Sequence, residues 1–136
     1  MINIFEDLQC KNIENHLLDF ECKLEIFREG NLIFVRLFRD DGVFVLATGP
    51  SICVALERAE SYIGGAVHFS MPDICLSKKS KLDKLILEAG YTIIAKRASR
   101  ESLTASLIKE ANVPTFVSCA STPFIGGFLA MMEEKI

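Results

Sequence analysis

Apolar residues follow two different spacings along the chain, one typical of strands and the other of helices. The first part of the sequence has strand-like apolar runs at residues 24–27, 32–38 and 43–47. Glu29-Gly30-Asn31 and Asp40-Asp41-Gly42 separate these runs and have the composition of tight turns. The pattern therefore predicts a three-stranded antiparallel meander, preceded by a short helix or helix–turn within the first twenty residues.

From residue 51 onward the pattern predicts helices that alternate with strands. The predicted helices are 51–63, 80–88, 99–111 and 121–132, and the predicted strands are 66–69, 91–96 and 113–118. Ser51 and Ser99 are suitable N-cap residues, and Gly64 and Gly90 are suitable helix terminators. Such alternation predicts a three-layer α/β fold with a mixed sheet, antiparallel in its N-terminal hairpins and parallel in its C-terminal strands. No internal repeat is evident in the sequence.

Length and charge narrow the classes of protein. A chain of 136 residues has the size of a single domain, here 1–136, and half of its residues are hydrophobic. That apolar excess favours a homodimer. The net charge of −3 argues against nucleic acid as a partner, because phosphate binding needs a basic field. No apolar run approaches the ~18 residues of a membrane span, so no membrane association is expected.

The cysteines indicate a reducing compartment. There are five, an odd number, and none forms a CxxC pair. Reduced thiols are the simpler interpretation, and the N-terminus lacks the cationic segment of a signal peptide. We therefore expect a cytoplasmic protein.

Two loops carry the most suggestive chemistry. Lys96-Arg97-Ala98-Ser99 follows one predicted strand, and residues 118–122 follow the next. Loops at the carboxyl ends of parallel strands often bind ligands, and helix N-termini attract anions. An arginine beside hydroxyl groups predicts a phosphate pocket. On spacing alone, the alternative is that Ser99 and Ser121 are ordinary N-caps and Arg97 is solvated.

The same stretch resembles the C-terminal part of the formate dehydrogenase accessory (FdhD) family. The family has a Gly-Arg-Ala-Ser-like turn, matched by residues 96–99, and a Val-Ser-Ala-Pro-Thr-like loop, matched by residues 117–122. Asn112-Val113-Pro114 resembles the Gly-Ile-Pro that precedes the second strand. A further family segment, Arg-His-Asn-Ala-Leu-Asp-Lys, matches residues 80–86 better in its letters and residues 54–58 better in its spacing.

The resemblance implies a fold and a function. FdhD-like proteins have a cytidine-deaminase-like fold, are usually dimers and bind the bis-molybdopterin guanine dinucleotide cofactor. They pass sulfur to it from a cysteine desulfurase, for formate dehydrogenase. The implied cofactor-binding residues, for that cofactor or a GDP-like nucleotide, are Lys84, Arg97, Ser99, Ser118, Ser121 and Thr122. The cysteine pair of the sulfur relay is absent from this sequence, so cofactor or partner binding without the relay is expected.

Two alternatives remain open. Cys119, between a strand and a helix N-terminus, is a candidate catalytic thiol, although a buried structural cysteine is the commoner case. The other alternative is a non-catalytic homodimeric interaction domain. Zinc deaminase motifs are missing, and His68 with Cys75 provides too few ligands for a structural zinc site, so no metal is expected.

Overall fold

The computed structural model describes most of the chain. It covers residues 4–6, 8, 10–65, 79–97, 99, 103–109, 113–120 and 125–136, with residues 113–120 described by their backbone. The predicted strand at 66–69 lies outside these ranges.

The N-terminal part contains two helices around three strands. They are α1 (Lys11–Asp19), β1 (Lys23–Glu29), β2 (Leu32–Arg39), β3 (Gly42–Gly49) and α2 (Ile52–Ile63). The meander prediction is confirmed, since Gly30 and Gly42 provide the positive φ angles of its two turns. The helix prediction for 51–63 is also confirmed: the Ser51 hydroxyl accepts a hydrogen bond from the Val54 N–H at 3.3 Å, and Gly64 is the C-cap.

The C-terminal part repeats this order. Its elements are α3 (Lys81–Ala89), β4 (Thr92–Arg97), β5 (Leu103–Lys109), β6 (Val113–Ala120) and α4 (Ile125–Lys135). Ser80 and Asp83 form a capping box at the start of α3, and Gly90 ends it in the left-handed conformation, as its position predicted.

The prediction of a helix over 99–111 is wrong, because this segment contains strand β5. Leu103 and Leu107 have a spacing that fits either a helix or a strand. Their burial together with Ala105, between more exposed neighbours, shows period-two alternation. Pairing with β4 on one side and β6 on the other fixes the segment as a strand.

The six strands form one sheet in the order β3-β2-β1-β4-β5-β6. Every pair among them is antiparallel, so the expectation of parallel C-terminal strands is wrong. β4 and β6 do run in the same direction, but β5 lies between them as an antiparallel strand. Short connections suit this arrangement, because antiparallel neighbours need no long crossover.

The described helices cover one face of the sheet. Residues of all four join a single hydrophobic cluster with the buried residues of β1 to β5, such as Ile26, Val35 and Leu107. The side chains that alternate with these, including Phe34 and Ile94, are partly exposed. Within the described ranges the fold is thus two layers, not the three expected.

The two αβββα halves have matching strand registers. At the centre of the sheet, Glu25 in β1 pairs with Ile94 in β4, and Leu24↔Ala95 mirrors Ile26↔Ile93. Both halves have a register shift at the same place, between Leu37 and Phe38 in β2 and between Leu107 and Ile108 in β5. We conclude that the halves are related by an approximate twofold axis through the Glu25–Ile94 pair. This structural repeat is not evident from the amino-acid sequence.

The helices of the described ranges are shorter or more polar than a membrane-crossing helix requires, and none of them could span a bilayer.

Candidate functional site

Arg97, the centre of the predicted phosphate pocket, is engaged with the protein itself. Its side chain is 3% exposed, and its Nη2 donates to Glu14 Oε1 at 3.0 Å. Its Nη1 donates to the Ser99 carbonyl oxygen at 3.2 Å. Ser99 does not start a helix, because β5 follows it, so its predicted role as an N-cap is wrong. The described geometry makes Arg97 a structural residue that joins β4 to α1.

Glu14 links three elements of the core. Besides Arg97, its Oε1 accepts a hydrogen bond from the Ile125 N–H at the start of α4, at 2.5 Å. Burial raises the pKa of Glu14, while the Ile125 N–H and the Arg97 guanidinium act in the lowering direction. The buried carboxylate thus caps a helix of the other half and balances the charge of Arg97.

Asp83 has the corresponding role in the other half. Its Oδ1 accepts from the Ile52 N–H at the start of α2, at 2.7 Å, and its Oδ2 accepts from the Ser80 N–H at 2.9 Å. Burial is the main cause that raises the pKa of Asp83. Each of these two carboxylates therefore caps the last helix of the opposite half.

Two glutamates complete the set. Glu60 in α2 accepts from the Asn12 and Ile13 N–H groups of α1 at 2.8 and 2.9 Å. Glu133 in α4 accepts from the first two N–H groups of α3, both at 2.9 Å. In the part of the chain that the structure describes, each of the four helix starts is thus capped by a carboxylate from another helix, in the cyclic order α2, α1, α4, α3. The sequence analysis missed this; the available signal was that Glu60 and Glu133 each lie eight residues after the isoleucine that begins their helix.

Lys84 is separated from Arg97. It is exposed on α3 and lines a shallow depression of about 740 Å³ with Tyr91, Leu107 and Ile136. Tyr91 precedes β4 and Arg97 ends it, so Lys84 and Arg97 lie at opposite ends of that strand. The structure does not bring these two predicted cofactor-binding residues together.

The remaining predicted residues follow the second loop. Ser118 and Cys119 were expected after the end of a strand, but β6 continues through Ala120 and pairs them with Ala105 and Thr104 of β5. Ser121 and Thr122 lie outside the described residues. Cys119 lies in a strand, six residues before the first residue of α4, and not at a helix N-terminus as expected.

Within the described ranges, no three His, Cys, Asp or Glu side chains converge in a way that could hold a metal ion. Cys10, Cys22 and Cys53 are buried, and no disulfide joins them to one another. Burial raises the pKa of the Cys10 thiol well above its ordinary value. A raised pKa disfavours the reactive thiolate. His16 packs against Phe20, with ring centroids 4.5 Å apart.

Four of the seven large hydrophobic side chains that are exposed among the described residues lie on β3 or beside it on α2. We define the β3 edge surface as Val43, Phe44, Leu46 and Tyr62, whose exposed fractions are 52%, 43%, 53% and 60%. β3 is a terminal strand of the described sheet, and its eight residues, GVFVLATG, carry no charge. A depression of about 340 Å³ wraps around this edge, between Leu46 and Phe34 on the sheet side and Tyr62 on α2.

The open face of the sheet beside β3 is aromatic. Phe27 and Phe34 stack with centroids 5.6 Å apart. The Arg36 guanidinium lies 4.8 Å from the Phe38 ring centroid and forms an ion pair with Glu25. Because Arg36 already contacts a carboxylate and aromatic rings, it stabilises this face and contributes amphipathic contact area beside the edge.

Comparison of this chain with protein-family models, with curated proteins and with solved structures finds no match.

Proposed function

We propose that this protein is a protein-interaction domain that receives an extended strand of its partner at the β3 edge surface. The observation that carries the proposal is an uncharged, eight-residue terminal strand flanked by large exposed apolar side chains. A terminal strand presents unpaired N–H and C=O groups, and a strand of a partner satisfies them by extending the sheet.

The lack of edge protection strengthens this argument. Proteins usually block a terminal strand with lysine, inward charges or proline. The β3 sequence has none of these. Its register shift beside Phe38 is near the start of the strand and leaves the pairing from Val45 to Gly49 regular. A regular and apolar strand suits strand addition because the strand itself has no charge to desolvate. Arg58, which lines the adjacent depression, already donates to the Thr48 carbonyl oxygen.

Site-specific photo-crosslinking tests the proposal. A photoreactive amino acid at position 46 is expected to give an adduct in cells, and mass spectrometry should map it to one reproducible segment of one protein. The same amino acid at position 84, exposed on α3, is the matched control and should give no such adduct. Absence of an adduct at position 46, or equal labelling from both positions, would contradict the proposal.

The FdhD-like function, with its cytidine-deaminase-like fold and guanine-nucleotide-bearing cofactor, stays a prediction. The contact of Arg97 with Glu14 and the distance of Lys84 from it do not favour the expected pocket. A thermal-shift measurement with GDP, GMP, CMP and phosphate separates the two functions. A ligand at a hundredfold excess over Kd would stabilise the fold by about 2.7 kcal/mol. The interaction-domain proposal expects no shift with any of the four.

A further inference from the structure

We propose that the strand added at the β3 edge surface is β3 of a second copy of this chain, paired antiparallel about a twofold axis. This inference rests on the proposed function and names the partner of the same surface. Two six-stranded sheets would join into one continuous sheet, with the helices of both copies on the same side. Three observations favour a second copy over an unrelated strand.

The first observation is the way in which the halves of this chain already join. β1 and β4 are the corresponding strands of the two αβββα halves, and they pair antiparallel at the approximate twofold axis. At this junction the helices of both halves pack on the same face of the sheet. Antiparallel pairing of β3 with its own copy repeats this geometry at the outer edge of the N-terminal half.

The second observation is that β3 is compatible with itself. In an antiparallel self-pair, residues near the twofold axis face their own copies, so a charge in the middle of the strand would meet a like charge directly opposite. β3 contains no charged residue. Before its start, Arg39 and Asp41 are paired with each other at 3.1 Å, and Asp40 lies in the same turn. At its end, Arg58 donates to the Thr48 carbonyl oxygen at 2.8 Å. Self-pairing therefore buries apolar side chains without facing like charges.

The third observation is the difference between the two terminal strands. β6, at the other end of the described sheet, contains Pro114, which has no N–H to donate. β6 is uncharged like β3, so proline is what distinguishes the two terminal strands of the described sheet, and β3 is the one without it. Pairing of β3 with β6 of another copy would be head-to-tail and would continue into a filament, whereas β3 with β3 closes as a dimer.

The size of the surface fits a dimer of moderate strength. Each of the four side chains of the β3 edge surface is roughly half exposed. A fully buried aromatic side chain covers roughly 150–250 Å², so the exposed halves of Phe44 and Tyr62, with smaller areas from Val43 and Leu46, supply part of the roughly 800 Å² that each partner buries in a standard interface. The strand backbone, Phe34 and Thr48 line the same edge and add to it.

The test is the mass of the purified full-length chain in solution. Light scattering after size exclusion is expected to give about twice 15.1 kDa for the wild type. Leu46→Lys places two like charges in the paired edge and should give a single chain mass. The matched control, Leu32→Lys, changes another exposed leucine that lies at the β1–β2 turn and should remain a dimer. A monomeric wild type at about 100 µM, or a dimeric Leu46→Lys variant, would overturn the inference.

Hydrogen exchange of the wild-type protein provides a second test, which does not depend on whether Leu46→Lys folds. Backbone amides of residues 43–48 should become more protected as the protein concentration rises, and amides of α3 should not change. Concentration-independent exchange in β3 overturns the inference. Crosslinking at position 46 distinguishes failure of this inference from failure of the proposed function. An adduct with a different protein would contradict self-pairing but support an interaction function, whereas absence of any adduct would contradict both.

Discussion

The two halves of the molecule share one backbone plan but differ in the chemistry of their outer strands. Both have the order αβββα, the same strand registers and a register shift at the same place. The N-terminal half ends in β3, which is uncharged and apolar, and the C-terminal half ends in β6, which contains Pro114. The two halves therefore have the same strand order and hydrogen-bond register, while the residues of the outer strand determine whether a further strand can pair with it.

The halves also balance their buried carboxylates differently. Glu14 caps α4 and is paired with the buried Arg97, whereas Asp83 caps α2 and accepts from Ser80 instead. The position that corresponds to Arg97 in the first half is Arg28, whose Nη1 donates to the Leu87 carbonyl oxygen at an exposed site. The same strand position is thus buried in one half and solvent-exposed in the other.

Arg97→Ala should have the largest effect of the substitutions that test this comparison. It leaves Glu14 buried without its cation, and breaking a buried pair costs about 3–5 kcal/mol. The matched change Arg28→Ala removes an exposed contact and should cost under about 0.5 kcal/mol. Urea denaturation measures both free energies of unfolding. If the two substitutions lowered the free energy of unfolding equally, the buried ion pair of Arg97 would not contribute more to stability than the exposed contact of Arg28.

Much of the local structure could be predicted from the sequence. Turn residues at Gly30 and Gly42 and caps at Ser51, Gly64 and Gly90 predicted the boundaries of the meander and the ends of two helices. The sequence analysis did not predict that Ser80 is an N-cap. β5 could not be predicted, because its apolar spacing fits a helix equally well and only pairing with β4 and β6 decides between them. That error produced the parallel sheet, since a helix between two strands implies a crossover.

The candidate site was less predictable for a related reason. Arg97 beside Ser99 has the composition of an anion pocket, and its actual partner, Glu14, lies 83 residues away in sequence. A single sequence contains no local sign of such a pair. The β3 edge surface could have been noticed, because GVFVLATG lacks charge, but its position at the end of the sheet depends on the strand order.

Gly126→Ala should have an intermediate effect. A Cβ at this position would lie 2.7 Å from the Phe5 carbonyl oxygen and 2.8 Å from the Leu8 carbonyl oxygen, both backbone atoms. The backbones therefore approach closely at Gly126, and the substitution should cost about 1–3 kcal/mol. Gly127→Ala in the same helix is the control for helix propensity, which favours alanine over glycine by about 1 kcal/mol at both positions. Calorimetry that finds Gly126→Ala as stable as wild type would contradict the close packing of α4 on the N-terminal segment.

The smallest expected effect is a change in pH dependence. Because burial raises the pKa of Asp83, the folded protein keeps this proton at pH values where the unfolded chain has released it. Its contribution to stability is present at low pH and is lost as pH rises through the raised pKa. As the pH rises above about 4, Asp83→Asn should therefore lose less unfolding free energy than the wild type. Part of the pH dependence should remain in the variant, because the pKa values of Glu14 and Glu57 are also raised.

The free energy of unfolding, measured at several pH values, gives its dependence on pH. A hydrogen bond that is altered by asparagine changes this free energy equally at every pH, so it does not affect the dependence. Glu88→Gln, at an exposed position of the same helix, provides the control. A slope for Asp83→Asn that equals or exceeds that of the wild type would show that Asp83 does not titrate as its burial indicates.

The cyclic arrangement of helix caps has a consequence for cooperativity. Glu14 and Asp83 each cap a helix of the opposite half, so unfolding of one half leaves a helix start uncapped in the other. The free energies of the halves are therefore coupled through the helix termini as well as through the β1–β4 pairing. Despite its repeated plan, the chain should unfold as one thermodynamic unit, with a single transition seen by every probe.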